Sequence, residues 1–547
     1  MKSRLIFLFS LIFFHLLSFS QEKILSDIDN YFDFLALDGA TERPYLSFRT
    51  LSDSKWTNQS SASSIWKENF ETKSNKKYKS IIIYNPDLLL TYNGASSYGQ
   101  NDGLLWQGKG LNAYFSTGIR YEKKGFEFTL KPEIAFSENR EFPFMPPNAV
   151  FNAELYKNKA AIYGYYGIHY IDAPQRFGNK SFFNFSWGDS ELRYTSKSFT
   201  VGIGTQYLWL GPAKLNPIIH SNNAPSYPRF DIGVRPVTLR FGNWSAGKIE
   251  ARLWLGQLKE SAFFDHDNTN NSRLISGLSF GYAPSFIKGL TISANRNFLC
   301  QWDFKSLLSI PDLFFIPGNI HGGRDTWDQR ASLGFNYLLP ESGFEVYTEI
   351  GLNDYSPGLD GYIRYPFHSM VYTSGARKSF SFNALNKHYK GELLLEISNL
   401  EMSQDFQFQW SSTFYSHHLI TQGYTNQGQW LGAGNGTGGN SQYLGFKTYH
   451  SKGLFNIYIH RQNPDNDYIY QFSLGTENTE DVKKNIRNFK AVLSSGINGV
   501  YFINSHIQFR AGLSYVVEHN PLYNAIRWEK TSKRRSVHLE TGFIYNL

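Results

Sequence analysis

Seven side chains between Tyr207 and Arg229 carry the most suggestive chemistry in this sequence. Tyr207, Trp209 and Tyr227 offer aromatic faces that stack on the C–H surface of a ring. His220, Asn222, Asn223 and Arg229 offer donors and acceptors for hydroxyl groups. Pro212, Pro217, Pro225 and Pro228 bracket the stretch and restrict its backbone, so it reads as a loop of fixed shape. Two uses are open to such a loop: contact with a polyhydroxylated ligand, or packing into whatever structure holds it.

Other constellations carry less. Asp265-His266-Asp267 has metal-ligand types, but three consecutive residues do not converge easily, and a solvated loop is expected. Asp465-Asn466-Asp467 lacks the spaced ligands and closing glutamate of a calcium loop. Gly434-Asn435-Gly436-Thr437-Gly438-Gly439 lacks the lysine and the strand-to-helix setting of a phosphate loop, and reads as a flexible surface loop. His417-His418 reads as an interface pair at a strand end. Cys300 is the single cysteine, so no internal disulfide forms, and a small buried or lipid-facing residue is expected there. No metal and no cofactor is expected.

The elements that must position these residues are strands. In Ser536 to Leu547, Val537, Leu539, Thr541, Phe543, Tyr545 and Leu547 share one face, and Ser536, His538, Glu540, Gly542, Ile544 and Asn546 share the other. Gly125 to Phe136 alternates in the same way, with Phe126, Phe128, Leu130, Ile134 and Phe136 opposed to Glu127, Thr129, Lys131 and Glu133. Ser198 to Trp209 sets Phe199, Val201, Ile203, Tyr207 and Trp209 on the apolar face. Met402 to Phe414 does so with Phe406, Phe408, Trp410 and Phe414. Further alternating runs begin near Leu111, Arg235, Arg273, Arg330, Tyr372, Tyr443, Tyr468 and Ser505, among others.

Aromatics make up 17% of the chain and charged residues 18%. The mean hydropathy is −0.39, which excludes a multispanning helical protein. Alternating faces, many aromatics and connections of alternating short and long length predict an all-β fold. The expected form is a transmembrane outer-membrane β-barrel of about 18 antiparallel strands. Short turns are expected at Lys123-Lys124-Gly125, Pro340-Glu341-Ser342-Gly343 and Ser451-Lys452-Gly453. Long connections are expected near 211–229, 301–328, 354–369 and 416–441. Charged side chains on the strands must face the lumen, because a cation at the bilayer midplane costs about 2–4 kcal/mol.

Residues 1–20 read as a signal peptide, with Lys2 and Arg4 before an apolar run. Residues 21–79 read as a periplasmic helical segment and linker. Ile24, Leu25, Ile28, Tyr31, Phe32 and Leu35 form a helical stripe, Asp27, Asp29, Asn30 and Asp33 a solvated face, and Gly39 a stop. A second short helix is expected over Ile65-Trp66-Lys67-Glu68-Asn69-Phe70. Residues 80–547 are expected to form the barrel. The formal charge of +8, from 54 Lys and Arg against 46 Asp and Glu, permits an anionic partner without demanding one, and no nucleic-acid module is present.

Three stretches resemble a known family. They are Asn101-Asp102-Gly103-Leu104-Leu105-Trp106-Gln107-Gly108-Lys109-Gly110-Leu111-Asn112; Trp209-Leu210-Gly211-Pro212 running on through Ser221-Asn222-Asn223-Ala224-Pro225 to Pro228; and Leu255-Gly256-Gln257-Leu258-Lys259-Glu260-Ser261. In order and spacing they resemble the Wzi capsule-assembly family, in a Bacteroidota-like form. The resemblance implies a noncatalytic outer-membrane barrel that binds or organises capsular or other surface polysaccharide in a lectin-like way. It implies residence in the cell outer membrane, with outer-membrane lipid and the barrel-assembly machinery as further partners. The polysaccharide-binding residues expected from the loop are Tyr207, Trp209, His220, Asn222, Asn223, Tyr227 and Arg229, with the plugging of the barrel mouth as their other use. The alternatives are an outer-membrane porin or transport channel, and a barrel hydrolase. No Gly-x-Ser-x-Gly elbow is present for the latter.

Overall fold

The computed structural model describes residues 27–53, 55–56, 65–66, 80–145, 162–164, 171–265, 267–303, 327–353, 360, 363–364, 366–367, 370–384, 387–401, 414–417, 419–465, 490–504, 506–523 and 531–545. The signal peptide, the lysine-rich linker, the alternating run from Met402 to Thr413, the run near Tyr468, and His266, Asn466, Asp467 and His418 lie outside them.

Eighteen antiparallel strands close into a barrel. They are β1 (Ile81–Asn93), β2 (Gly110–Lys123), β3 (Phe126–Leu130 and Glu133–Ser137), β4 (Phe182–Ser186 and Glu191–Ser196), β5 (Phe199–Gly204), β6 (Arg229–Phe241), β7 (Trp244–Lys259), β8 (Ser272–Pro284) and β9 (Leu290–Gln301). The circuit continues through β10 (Asp328–Leu339), β11 (Phe344–Asn353), β12 (Val371–Ala384), β13 (Lys387–Asn399), β14 (Asn440–His450), β15 (Gly453–Asn463), β16 (Ala491–Phe502), β17 (Ile507–His519) and β18 (Lys533–Tyr545). β18 pairs with β1, Asn93 opposite His538 and Asp87 opposite Ile544, so no edge is left to aggregate. Prolines sit where the ladder needs no donor. Pro86 and Pro236 fall at register shifts in β1 and β6, and Pro132 at the break in β3.

The period-two reading holds where it can be followed. Phe126, Phe128 and Leu130 point out and are exposed, while Glu127 and Thr129 point in and are buried. Val537, Leu539, Phe543 and Tyr545 are likewise exposed, with Ser536 and His538 buried. The turns also follow their residues. Lys124 (φ 50°) and Gly125 (φ 86°) give the two left-handed positions of a tight hairpin between β2 and β3. Short turns therefore form one rim and long connections the other.

One expected strand ends early. β5 stops at Gly204, so Tyr207 and Trp209 leave the wall instead of facing outward. Trp209–Leu210 pairs inside the lumen with Phe48–Arg49, and Phe414, also expected to face outward, is fully buried. The lumen is packed. Segment 27–53 enters from the short-turn rim, and segments 205–228, 414–417 and 419–439 fold in from the long-loop rim. A single apolar cluster unites them, with Phe48, Leu210, Ile218, Tyr415, Leu431 and the wall residue Trp254 at its centre. The Gly434–Gly439 loop belongs to this filling and not to the surface. Asn435 and Thr437 are fully buried, and Asp465 accepts the Thr437 amide at 2.9 Å.

The N-terminal helix α1 (Asp27–Leu37) ends as its sequence predicts. Gly39 takes φ 77°, and the amides of Ala40 and Gly39 reach back to the carbonyls of Leu35 and Ala36. Tyr31, Phe34 and Leu35 bury the apolar face, and Tyr31 stacks on Trp66 at 4.0 Å. Ile65 and Trp66 lie in a turn; the rest of the expected second helix falls outside the described residues. The polar face is not solvated, because it meets charged lumen wall rather than water. Asp33 is bonded by Arg43 and Arg377, both at 2.7 Å, and by Lys214 of the inward loop at 3.2 Å. Arg43 and Arg377 also hold Glu345, at 2.6 and 2.9 Å. Burial alone pushes the Asp33 carboxyl up, but these cations outweigh it and hold it well below the usual carboxylate range.

A buried charge stripped of its partners is costly, whereas an exposed pair contributes little. Glu345→Gln is expected to destabilise the folded barrel by about 3–5 kcal/mol, read as a lowered temperature for loss of the compact, SDS-resistant band. Arg364→Ala, which removes the exposed Arg364–Asp360 pair, is expected to leave that temperature unchanged.

Candidate functional site

The inward segments are fixed by the wall. Buried backbone groups need partners, and the inward-facing charges supply them. Glu396 accepts the successive amides of Lys214 (2.7 Å), Leu215 (3.1 Å) and Asn216 (2.7 Å). Glu349 accepts the amide of Ile218 at 3.0 Å. Glu250 accepts those of Leu46 (2.8 Å), Ser47 (2.8 Å) and Phe48 (3.2 Å). Carbonyls go to guanidiniums: Arg273 donates to Gly423 (2.7 Å) and Thr425 (3.0 Å), and Arg330 to Phe414 (2.5 Å).

This explains where the seven sequence-selected residues lie. Trp209, His220, Asn222, Asn223, Tyr227 and Arg229 are all buried, and Tyr207 is half-buried. The Tyr207 hydroxyl donates to Glu133 (2.6 Å), the Trp209 indole to the Ala213 carbonyl (3.0 Å), and Arg229 to the Gln206 carbonyl (2.9 Å). The Asn223 amide donates to the Gly432 carbonyl at 2.8 Å and its oxygen accepts the Asn101 amide at 2.7 Å. These side chains join the loop to itself, to the wall and to neighbouring loops. The weaker motifs serve locally too. Asp265 accepts the Asp267 amide (2.7 Å), and His417 accepts the Ile420 amide (3.1 Å). Cys300 is buried, its thiol 3.9 Å from the Leu274 carbonyl.

On the floor these segments make, the long-loop rim holds a cleft of about 260 Å³. Asn223 and Leu215 line its base, and Tyr443 and Tyr458, stacked at 5.8 Å, line its wall from β14 and β15. The loop between β1 and β2 brings Tyr98, Gln100, Trp106 and Gln107. The loop after β13 brings Gln429 and Trp430. Tyr98, Trp106 and Trp430 are half-buried, so part of each ring stays accessible. Four buried polar atoms lining the cleft have no hydrogen-bond partner among the described residues: Asn101 Oδ1, Trp106 Nε1, Gln107 Oε1 and His460 Nε2. Rings with accessible faces beside unused donors and acceptors suit a polyhydroxylated ligand. Sequence reasoning passed over most of these residues. The 98–107 stretch has the aromatic and amide content that drew attention to 207–229, but without the proline brackets. Those brackets marked a loop rigid enough to be buried.

His220 supplies a pH probe of the inward loop. Its Nδ1 lies 3.1 Å from the Ser221 carbonyl, which can only accept, so Nδ1 carries the proton. Nε2 then accepts from the Tyr227 hydroxyl at 2.7 Å. Burial first, and Arg229 second, push the imidazole down to about 3 from 6.5. Between those values the unfolded chain takes up a proton that the folded one refuses, so this contribution is complete above pH 6.5 and is lost as pH falls toward 3. His220→Gln is expected to flatten that limb, read as the difference between wild-type and variant thermal midpoints across the window.

Comparison with known proteins fits this arrangement. The sequence profile of the family described as capsule assembly protein Wzi matches residues 84–515. Among solved structures, Wzi of Escherichia coli, described as an outer-membrane, carbohydrate-binding β-barrel involved in group 1 capsule assembly, aligns with a TM-score of 0.58 at 13% identity. The alignment covers 95% of this chain and 98% of that one. OccAB2 of Acinetobacter baumannii aligns with a TM-score of 0.36 at 8% identity, over 84% of this chain and 97% of that one. No curated protein matches in sequence. The closed barrel resides in the outer membrane, and the chain belongs to the Wzi capsule-assembly family.

Proposed function

We propose that this capsule-assembly protein holds surface polysaccharide in the long-loop cleft, without catalysis. The observation that carries the reading is the pairing there of accessible aromatic rings with unpartnered polar atoms of Trp106, Gln107 and His460. Wzi of Escherichia coli is described as carbohydrate-binding, and the reading extends that property to this chain. Of the residues selected from sequence, Asn223 lies at the cleft. Tyr207, Trp209, His220, Asn222, Tyr227 and Arg229 serve binding from beneath, by fixing the floor. Outer-membrane lipid surrounds the exposed apolar faces, and the barrel-assembly machinery inserts the chain.

The reading without catalysis is supported by two buried histidines. His220 engages a tyrosine and a carbonyl, and His538 the Asn93 amide oxygen at 2.7 Å. A serine on one side and a carboxylate on the other would be needed to activate a nucleophile. A transport channel is disfavoured by the apolar cluster across the lumen.

Purified protein in detergent, titrated with capsular polysaccharide from its own cell surface, tests the reading. Trp106→Ala and Trp430→Ala are each expected to weaken binding about tenfold, the ~1.4 kcal/mol of one lost ring contact. Trp209→Ala and Asn222→Ala are expected to weaken it only as far as they lower thermal stability. Full affinity in both cleft variants would remove the cleft as the site.

A further inference from the structure

A second, larger space lies at the opposite end of the lumen. It measures about 1310 Å³ and is bounded by α1, the segment that follows it, and turns of the short-turn rim. Small-molecule pockets run to roughly 300–1,000 Å³, so this one has room for several linked rings. Among the described residues that line it, Lys and Arg outnumber Asp and Glu. Many of the cations are matched, Arg43 and Arg377 by Asp33 and Glu345. Arg49 is not fully matched.

Arg49 is 4% exposed and lines the cavity, yet its Nε and Nη2 donate no hydrogen bond among the described residues. Asp29 stands 3.8 Å away, outside hydrogen-bond range, and already accepts the Trp56 indole at 2.9 Å. Tyr45 lies under the guanidinium at 4.9 Å, which offsets some of its charge but accepts neither N–H. A charged donor buried without an acceptor is penalised unless something else supplies one. An oxyanion admitted beside the guanidinium would do so with two parallel bonds, the geometry in which arginine recognises carboxylate and phosphate. Lys197, on the turn between β4 and β5, and Lys288, on the turn between β8 and β9, are exposed at the same cavity and extend the positive field outward.

We infer that this cavity is a second ligand site, at the end of the lumen opposite the cleft, that takes an anionic saccharide through its carboxylate or phosphate group, with Arg49 as the anchor. It rests on the polysaccharide reading for the saccharide and on Arg49 for the charge. The ligand would therefore reach the protein at both rims, the cleft gripping rings and this cavity gripping acidic groups.

Calorimetry on the full chain in detergent tests it with tetragalacturonate, glucose 1-phosphate, inorganic phosphate and the neutral maltotetraose. Saturable binding of an acidic saccharide is expected, weakened about tenfold by Arg49→Gln, unchanged by Trp106→Ala, and absent for maltotetraose. Preference for tetragalacturonate names a uronate as the group, and preference for glucose 1-phosphate a phosphate. Inorganic phosphate bound as tightly as either sugar overturns the saccharide assignment. No saturable binding of any anion, or binding that Arg49→Gln leaves intact, overturns the site. Binding lost in Trp106→Ala and kept in Arg49→Gln overturns it while leaving the cleft in place. Should Arg49→Gln lose its SDS-resistant band, the exposed pair Lys197→Ala/Lys288→Ala is read instead. It is expected to weaken acidic-saccharide binding about threefold, and unchanged affinity there counts against the site.

Discussion

The structure depends on one constraint: chain that folds into a lumen takes backbone N–H and C=O groups away from water, and each must find a partner. Helices and sheets answer this internally. Segments 38–53, 205–228, 414–417 and 419–439 are mostly irregular and cannot. The wall answers for them. Carboxylates of Glu250, Glu349 and Glu396 take amides, and guanidiniums of Arg273 and Arg330 take carbonyls. The cost of lipid sends charged side chains inward, and the inward-folded chain is what makes them useful there. A water-filled pore would have left the same groups solvated.

That arrangement ties the two ends of the barrel together. Lys214 belongs to a loop that enters from the long-loop rim, Asp33 to a helix at the short-turn rim, and they meet at 3.2 Å. Four residues earlier in the same loop, Leu210 pairs with Phe48 of the N-terminal segment. Asn223 of this loop forms the base of the cleft, and Gly211 to Lys214 help line the larger cavity. Gly211, with φ 85°, lets the chain turn close to Glu349. A Cβ there would stand 2.9 Å from the carboxylate. One loop is thus part of both spaces. A change at either end has a short, packed and charged route to the other.

The barrel itself was legible in the sequence because period-two alternation is local. Gly125–Phe136 and Ser536–Leu547 state their inward and outward faces residue by residue, and Lys124-Gly125 states its turn. The stop of α1 at Gly39 was legible for the same reason. What fills the lumen was not legible. Trp209 continues an alternating run by its type, yet the strand ends at Gly204 because the chain is drawn inward to pair with Phe48–Arg49. Asp33 looks like a solvated helix face until Arg43, Arg377 and Glu345, the last two more than 300 residues away, are brought beside it. The cleft was missed because its rings come from four separate stretches, around Tyr98 and Trp106, Trp430, Tyr443 and Tyr458, none conspicuous alone.

The account stands or falls on the lumen being sealed by chain that the wall's charges hold in place. Conductance of the purified protein in a planar lipid bilayer reads this directly. At neutral pH and moderate voltage the barrel is predicted to insert without opening a steady ion path. Stable, ohmic currents of an open pore would contradict it.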